Sequence, residues 1–511
     1  MPVRRKQAVR EAHTGIQNSK FKIQNCRSVN IFAVQRILGI LLMLFSVTML
    51  PAAAVGLGYG DGAVQPFLAA FALLLVAGSV IWLPVRHSRQ ELRVRDGFLV
   101  VVLFWSVLGL SGALPFVLSE LPVMSVTDAV FESVSGLTTT GATVIVGLDD
   151  LPHSILFYRQ QLQWLGGMGI IVLAVAVLPM LGIGGMQLYR AETPGPMKDS
   201  KLTPRITETA KALWYIYLGL TILCGAAYWG AGMSPFDAVG HAFTTVAIGG
   251  FSTHDASIGY FDSTSIEMIA VVFMLLAGVN FALHFVAWRG KDPGIYLRDA
   301  EFRFYAAVLA GVTLVVTVVL FYSDTYIFWS DAFTKGLFQA VSIGTTTGFT
   351  TAEFYYWPGF LEILLLFASF VGGCAGSTGG GIKVIRVLLL IKQGLREIQR
   401  LIHPSAQIPI RVGNKIIANR VFDAVWGFFA LYVASFIVMY LALALTGIDL
   451  MTAFSAVAAS INNLGPGLAR VGPHYADLND AAKWILCFAM LLGRLEIFTL
   501  LVLLTPSFWR K

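Results

Sequence analysis

Charged side chains are scarce in this 511-residue sequence. Asp, Glu, Lys and Arg together make up 13% of it, whereas a soluble globular protein carries about 25%. Hydrophobic residues make up 56% of the chain. This composition therefore excludes a large soluble globular protein.

Cysteine and histidine are also rare, and neither forms a functional pattern. The four cysteines are far apart and no pair has metal-ligand spacing, so neither a disulfide framework nor a zinc site is predicted. The eight histidines are scattered and accompany no recurring acid pair or nucleophile motif. An enzyme is therefore not expected, nor a cofactor in this chain. Three cysteines in apolar surroundings are expected to be buried, inert thiols: Cys224, Cys374 and Cys487.

Long apolar runs are what the chain has instead. They recur from end to end, and each approaches the roughly 20 residues that a helix needs to cross a bilayer. The first run is too long for the core of a signal peptide, so it is predicted to be a retained span. The sequence predicts an all-α polytopic membrane protein. Examples of these runs are Ile31–Leu57, Phe67–Leu83, Ala306–Phe321 and Val425–Leu445.

The net charge of +7 reflects topology rather than a nucleic-acid partner. Most Lys and Arg residues lie in a few segments between the apolar runs and at both ends of the chain. The positive-inside rule assigns these segments to the cytoplasm, so both termini are predicted to be cytoplasmic. The basic segments with the most positive charge are 1–36, 186–211 and 382–420.

One sequence unit is repeated four times along the chain. An apolar span is followed by a short amphipathic stretch, then by a polar loop that contains glycine, then by another apolar span. The aligned glycines are spaced by 109, 98 and 117 residues, which indicates an internal repeat. The loops are GLTTTGAT (136–143), VAIGGFST (246–253), GTTTGFTT (344–351) and INNLGPGL (461–468), with Gly141, Gly250, Gly348 and Gly465 in register.

Such loops suit a pore. Non-helical backbone at membrane depth is tolerated only where protein buries it or where it lines a cavity. Glycine allows the backbone angles that turn carbonyl oxygens inward, where they can replace the hydration shell of a monovalent cation. Single Thr/Gly loops of this kind are usually plain external turns. Four copies in register favour a pore.

Two further features interrupt apolar spans. The segment GGCAGSTGGGIK (372–383) divides what would be one long span from Phe360 to Ile398. It predicts a broken helix that lines a cavity, the alternative being a tight helix crossing through small residues. Arg494 lies well inside the last span, where it is expected to face a pore, or else to snorkel or to pair with another helix. Four more charged or polar residues near spans receive no role: Glu132, Arg159, Glu208 and His241.

Several stretches resemble one known family closely. LGIGGMQLYRAETPGPMKDSKLTPRITETAKALW (181–214), VGGCAGSTGGGIKVIR (371–386), INNLGPGL and LLGRLEIFTLLVL (491–503) are similar to the TrkH family, the membrane subunits of bacterial Trk potassium-uptake systems within the Trk/Ktr/HKT superfamily. The resemblance runs from about residue 30 to the end. It implies four M1–P–M2 repeats, like those of potassium channels, in a pseudo-fourfold arrangement, together with two extra N-terminal transmembrane helices.

The resemblance also implies boundaries for these units. A basic N-terminal extension and the extra helix pair precede the four repeats, and the third repeat contains an intramembrane gating loop at 372–383. The expected ranges are 1–29 for the extension, 30–95 for the pair, and 96–207, 208–300, 301–412 and 413–511 for the repeats, with filter loops at 138–143, 247–252, 345–350 and 462–467.

The site residues follow from the same resemblance. In the family, loop residues ending at the aligned glycine supply the carbonyl oxygens of a potassium filter. Here these are Thr139, Thr140, Gly141, Ile248, Gly249, Gly250, Thr346, Thr347, Gly348, Asn463, Leu464 and Gly465. The gate would comprise Gly372, Gly373, Gly376, Gly379, Gly380, Gly381, Lys383 and Arg494. The fourth loop departs most from the Thr-rich pattern, so the filter is expected to be only approximately symmetric.

The implied function is potassium uptake across the bacterial inner membrane through a gated, selective pore. The alternative is a K⁺/H⁺ or K⁺/Na⁺ symporter with the same fold, although no recurring carboxylate within the repeats supports it. The expected partners are membrane lipid, a second copy of the chain in a homodimer, and a cytosolic TrkA-type ring that binds NAD(H) or ATP/ADP. This chain has no Walker A or dinucleotide fingerprint of its own, so the nucleotide is expected on the ring.

Overall fold

The computed structural model describes residues 30–88, 94–172, 206–413 and 415–509. Predictions that concern the extension 1–29, most of the basic segment 186–211, or the surroundings of Glu208 lie outside the described residues. Within the described part, the chain is helical apart from loops and one antiparallel ribbon of β1 (Arg411–Val412) and β2 (Lys415–Ile416). The all-α prediction is confirmed.

The predicted N-terminal pair forms the first helices of the structure. Helices α1 (Ile31–Val47) and α2 (Met49–Tyr59) run on from each other, and α3 (Val64–Trp82) packs back against them. The contact is made by two glycines: a Cβ on either Gly39 or Gly78 would lie 2.8 Å from the carbonyl oxygen of the other. Small residues at a crossing allow this close approach between helices in a membrane.

The remaining helices form four successive units of similar order. In each unit, a long helix is followed by a short buried helix, a loop and a second apolar helix. The first unit contains α4 (Val94–Ser111), α5 (Leu114–Leu118), α6 (Val126–Leu137) and α7 (His153–Val172). The second contains α8 (Ile206–Gly230), α9 (Pro235–Ala247), α10 (Thr264–Ala277), α11 (Phe281–Gly290) and α12 (Gly294–Arg298). The third contains α13 (Ala300–Tyr322), α14 (Trp329–Gly344), α15 (Leu361–Val371) and α16 (Val384–Ile402). The fourth contains α17 (Asn419–Ala444), α18 (Leu450–Asn462), α19 (Asp480–Arg494), α20 (Phe498–Leu504) and α21 (Pro506–Trp509).

The short helices α6, α9, α14 and α18 have 12, 13, 16 and 13 residues, too few to cross a bilayer. Three of them begin at a side-chain cap. Ser125 and Ser234 accept hydrogen bonds from the backbone N–H of Asp128 and Asp237 at 3.1 Å, and Asp449 caps the fourth in the same way. These caps satisfy backbone donors that would otherwise be orphaned at the helix start.

Among the described residues, six helices are long and apolar enough to span a membrane. Two bent pairs raise the number to as many as eight, one at α10 and α11 with an angle of 93° and one at α19 and α20 with an angle of 116°. The prediction of a polytopic membrane protein is confirmed. Cys224, Cys374 and Cys487 are free and buried, as the sequence predicts.

Candidate functional site

The four polar loops follow the short helices with one shared backbone conformation. Two positions before each aligned glycine, the residue has a positive φ, although none of these residues is glycine. A left-handed conformation at such residues costs about 1 kcal/mol or more and is found mainly at functional sites. The φ values are 56° at Thr139, 54° at Ile248, 71° at Thr346 and 53° at Asn463.

The aligned glycines bring neighbouring loops into direct contact. A Cβ on Gly141 would lie 2.1 Å from Gly249 O, and one on Gly250 would lie 2.1 Å from Thr347 O. A Cβ on Gly348 would meet Pro466 Cδ at 2.8 Å, and one on Gly465 would meet Gly141 O at 2.6 Å. The loops therefore touch in chain order, first to second to third to fourth and back to the first, as a closed ring.

The backbone is not identical in the four loops. Gly141, Gly250 and Gly348 have φ values of 83°, 79° and 88°, which side chains rarely adopt, whereas Gly465 does not share the positive φ. Pro466 follows Gly465 directly and restricts the residue before it to extended conformations. The expectation of only approximate symmetry is therefore reflected in the backbone.

The first and third loops are braced by their own threonines. Thr138 and Thr140 share a hydrogen bond between hydroxyls of 2.8 Å, and Thr345 and Thr347 share one of 2.7 Å. In each loop, the first threonine also donates to a carbonyl of the preceding helix, 2.7 Å away. Each of these two loops therefore has an internal brace of its own.

The second loop has no such threonines and is braced by a side chain that sequence reasoning missed. Gln163, on α7 of the first unit, donates from Nε2 to Gly249 O at 2.6 Å. Its Oε1 accepts from the backbone N–H of Phe251 at 3.0 Å. The sequence signal was available, because Gln163 belongs to a run of polar residues, RQQLQ (159–163), inside an apolar span.

Asparagines brace the fourth loop. Asn463 donates from Nδ2 to Thr140 Oγ1 at 3.1 Å, which ties the fourth loop to the first. Asn462 accepts a hydrogen bond of 2.6 Å from the Tyr432 hydroxyl and donates to Ser369 Oγ at 3.0 Å. The departures of this loop from the Thr-rich pattern are thus compensated by amide side chains that reach other helices.

A buried ion pair lies just beyond the first two loops. Arg159 Nε is 2.7 Å from Glu132 Oε1, and Arg159 Nη1 donates to Ser252 O at 3.1 Å. Glu132 also accepts from the Val144 backbone N–H at 3.0 Å. His241 adds a contact of 2.9 Å from Nε2 to Ser252 Oγ. No role is predicted from the sequence for Glu132, Arg159 and His241, but in the structure they fix where these loops leave the ring.

A second polar cluster lies on the loops that follow. His254 Nδ1 contacts Asp149 Oδ1, and its Nε2 lies 3.6 Å from Asp237 Oδ1. The His254 ring stacks on Tyr260 with 3.4 Å between centroids. Burial alone would lower the pKa of His254, but the hydrogen bonds and charges of the two carboxylates raise it above its usual value. The cluster joins loops of the first and second units.

The predicted broken helix is present. Helix α15 ends at Val371 and α16 begins at Val384, so residues 372–383 are non-helical. Gly372, Gly376 and Gly381 have φ values of 68°, 75° and 74°. A tight helix crossing through small residues, the alternative, is excluded because the backbone is not helical here.

This intramembrane segment touches the loop ring at several places. Gly380 N–H donates to Thr346 Oγ1 at 2.7 Å, and Gly381 N–H donates to Asn462 O at 3.0 Å. Thr378 Oγ1 donates to Val246 O at 3.0 Å. A Cβ on Gly380 would lie 1.9 Å from Asn462 O, so the segment packs directly under the ends of the short helices.

Arg494 lies against the same segment. Its Nη1 donates to Thr378 O at 3.2 Å and its Nη2 to Gly166 O at 2.5 Å. The guanidinium also stands over the Trp105 ring, 5.2 Å from its centroid. The sequence alone leaves open whether this charge faces a pore, snorkels or pairs with another helix. The structure places it between the intramembrane segment and the first unit, with backbone carbonyls as partners.

The chemistry that the assembled residues offer is that of oxygen ligands. The ring is built from backbone carbonyls and threonine hydroxyls, and no group of three or more His, Cys, Asp or Glu that could hold a metal ion occurs in the described part of the chain. The twelve loop residues that the sequence singled out, the seven residues of the segment and Arg494 all lie in this one region of the molecule.

The comparisons with known proteins agree with one another. The family described as TrkH, cation transport protein, matches residues 63–511. The chain is 62% identical over 481 residues to the Trk system potassium uptake protein TrkH of Vibrio parahaemolyticus, covering 94% of this chain and 99% of that protein. It is 56% identical over 479 residues to the protein of the same name from Escherichia coli K12, with 94% and 99% covered.

The fold is also that of a solved structure. The crystal structure of the potassium transporter TrkH from Vibrio parahaemolyticus matches with a TM-score of 0.86 and 58% sequence identity, covering 94% of this chain and 100% of that one. The family match and relatives that are more than half identical over nearly their whole length together show the family of this chain. The chain belongs to the TrkH family of cation transport proteins.

Proposed function

We propose that this protein takes up K⁺ across the bacterial inner membrane through a gated, selective pore whose filter is the ring of four loops. One observation carries the proposal: the aligned glycines place each loop against its neighbour, so that Gly249 O, Thr347 O and Gly141 O cluster at the contacts. Relatives named as Trk system potassium uptake proteins support K⁺ as the ion. The chain acts as a transporter and not as an enzyme.

Selection rests on the cost of dehydration. A cation that enters the ring exchanges its water shell for carbonyl oxygens, and the ring favours the ion whose size suits their number and spacing. Glycine at the aligned position lets the loops approach closely enough to present these oxygens. The filter residues are the twelve loop residues named above, three from each repeat.

The gate is the intramembrane segment 372–383 together with Arg494. The contact between Thr378 O and Arg494 Nη1 supports this, because it holds the segment beneath the loop ring. The segment obstructs the path sterically, and its glycines allow it to move without breaking helical hydrogen bonds elsewhere. Arg494 adds a positive charge that repels a dehydrated cation, an effect that the low dielectric of the surroundings strengthens.

Downhill, gated flux accounts for the buried carboxylates better than proton-coupled symport. Glu132 is paired with Arg159, and Glu267 is paired with Lys335 at 2.5 Å. Each of these carboxylates has a cationic partner, so neither is the unpaired carboxylate that a proton-coupled carrier would need. The membrane potential therefore drives the ion inward without a coupled proton.

The domain ranges proposed from the sequence match this function: the helix pair 30–95 stands outside four repeats at 96–207, 208–300, 301–412 and 413–511. Both termini face the cytoplasm. The basic segments 186–211 and 382–420 dock a cytosolic TrkA-type ring, which carries the NAD(H) or ATP/ADP. Two copies of the chain form the homodimer on which the ring sits. In α16, Lys392 and Arg400 are partly exposed and contribute positive charge to the second basic segment, whereas Arg396 is buried against the Phe422 ring.

The test is ion flux in proteoliposomes under an imposed potential. The unmodified protein should take up Rb⁺, a K⁺ substitute, in preference to Na⁺, and a proton gradient alone should drive no uptake. Gly141→Ser should lower the Rb⁺/Na⁺ flux ratio, because a side chain there would meet Gly249 O. An unchanged ratio in a well-folded Gly141→Ser protein would overturn the filter assignment, and uptake driven by the proton gradient would establish symport.

A further inference from the structure

The four loops are not braced in the same way, and the difference lies at two positions. These positions lie three residues and one residue before the aligned glycine. They hold Thr138 and Thr140 in the first loop and Thr345 and Thr347 in the third, and the two threonines of each loop share a hydrogen bond. In the second loop these positions hold Ala247 and Gly249, which carry no polar side chain. The second loop therefore lacks the internal brace that holds the first and third.

Gln163 occupies the space of the missing side chain. A Cβ built on Gly249 would lie 2.4 Å from both Cδ and Oε1 of Gln163. The Gln163 side chain is fully buried, with 0% exposed. Its amide orientation is set by chemistry: the Phe251 N–H can only donate, so the oxygen faces Phe251 and the NH₂ group faces Gly249 O. A side chain of the first repeat thus supplies the second repeat's brace.

From this arrangement we infer that Gln163 is a positioning residue for ion selectivity: it holds the Gly249 carbonyl of the second loop at its place in the filter. The inference rests on the proposed function, because it assumes that the loop ring is the filter. A carbonyl oxygen has two lone pairs, so Gly249 O can accept from Gln163 and still face a cation.

The physical need for this brace is clear from the residues themselves. Gly249 and Gly250 are adjacent, and two glycines in succession leave the peptide between them free to rotate. Without the amide of Gln163, Gly249 O would be free to turn away from the ring while Phe251 N–H lost its buried acceptor. The expected consequence is a less selective filter rather than a closed one.

The test compares Gln163→Met with Gln161→Met in reconstituted protein. Gln163→Met keeps the length of the side chain and removes both hydrogen bonds. Gln161 lies on the same helix, is also buried, and donates instead to Thr48 O at 3.0 Å, away from the loops. The Rb⁺/Na⁺ flux ratio should fall by about fivefold in Gln163→Met, the factor that corresponds to loss of the hydrogen bond to Gly249 O. It should be unchanged in Gln161→Met.

A further variant separates positioning from a purely structural role. Gln163→Glu keeps the shape of the side chain, and burial favours its neutral carboxyl. The O–H of that carboxyl can donate to Gly249 O while its carbonyl oxygen accepts from Phe251 N–H. Gln163→Glu should therefore retain more of the Rb⁺/Na⁺ ratio than Gln163→Met.

Each result has one meaning. A folded Gln163→Met protein with an unchanged Rb⁺/Na⁺ ratio overturns the inference, as does a Gln163→Glu protein that folds but is no more selective than Gln163→Met. If Gly141→Ser changes the ratio and the Gln163 variants do not, the filter stands and only the role of Gln163 falls. If none of them changes the ratio, the filter assignment itself falls.

Discussion

Arg159 Nε lies 2.7 Å from Glu132 Oε1, and the two side chains are only 1% and 0% exposed. The pair joins α7 to the short helix α6 within the first repeat. Because Arg159 also donates to Ser252 O, it extends the connection to the second repeat. This buried charge pair therefore links the first repeat to the second, the same two repeats that Gln163 connects.

Removing one charge of this pair should destabilise the protein. Glu132→Gln keeps the shape of the side chain but leaves the Arg159 charge uncompensated, which should cost about 3 kcal/mol. The apparent melting temperature in detergent is the measurement. Asp292→Asn is the control, because Asp292 pairs with Arg298 on the surface, where such a pair contributes less than about 1 kcal/mol. Equal melting temperatures for Glu132→Gln and the control would contradict the prediction.

A second prediction separates backbone strain from contact between loops. Gly250 and Gly147 have the same φ of 79°, but a Cβ on Gly250 would lie 2.1 Å from Thr347 O, whereas a Cβ on Gly147 would meet nothing within 4 Å. Gly147→Ala should therefore cost only the strain of a left-handed alanine, about 1 kcal/mol, with an unchanged Rb⁺/Na⁺ flux ratio. Gly250→Ala should lower both stability and the ratio. Equal effects of the two substitutions would show that contact between the second and third loops is unimportant.

The gate yields a prediction on flux. Arg494→Ala removes the contacts to Thr378 O and Gly166 O, which frees the intramembrane segment and takes a positive charge out of the path. Rb⁺ uptake by the chain alone, normalised to folded protein, should rise severalfold, with the Rb⁺/Na⁺ ratio preserved.

The control for the gate is another buried cation of the same helix. Lys483 lies on α19 and contacts Asp128 at 2.6 Å, far along the helix from the segment. Lys483→Met should lower stability without raising uptake. An Arg494→Ala protein that is poorly folded, or that folds well and shows no extra uptake, would indicate a structural anchor instead of a gate.

The cluster around His254 makes stability depend on pH. The titratable groups that face His254 are Asp149 on the loop between α6 and α7, Asp237 and His241 on α9, and Tyr260. The pKa of His254 is raised in the folded protein, so its contribution is fully present below the usual histidine value of about 6.5 and is lost as the pH rises through the higher folded value.

The melting temperature should therefore fall across this interval in the unmodified protein and change less in His254→Gln. His87, an exposed histidine elsewhere in the chain, provides the control variant His87→Gln, whose pH profile should match that of the unmodified protein. A His254→Gln profile that also matches would show that the two carboxylates do not hold the ring in its protonated form.

The sequence alone determined the features that depend on local patterns. Apolar runs of sufficient length identify the membrane helices, because hydrophobic length is read one segment at a time. The repeated loops and the break at 372–383 are also local, since glycine preferences act within a few residues. Each of these predictions agrees with the structure.

Only the tertiary structure decided which distant groups meet. Gln163 reaches Gly249 across 86 residues of chain, and Arg494 reaches Gly166 across 328. A pattern in the sequence shows that a buried polar side chain needs a partner, but it does not say which of many buried carbonyls will be within reach. That choice depends on how the four repeats pack around one centre, and packing is a property of all of them together.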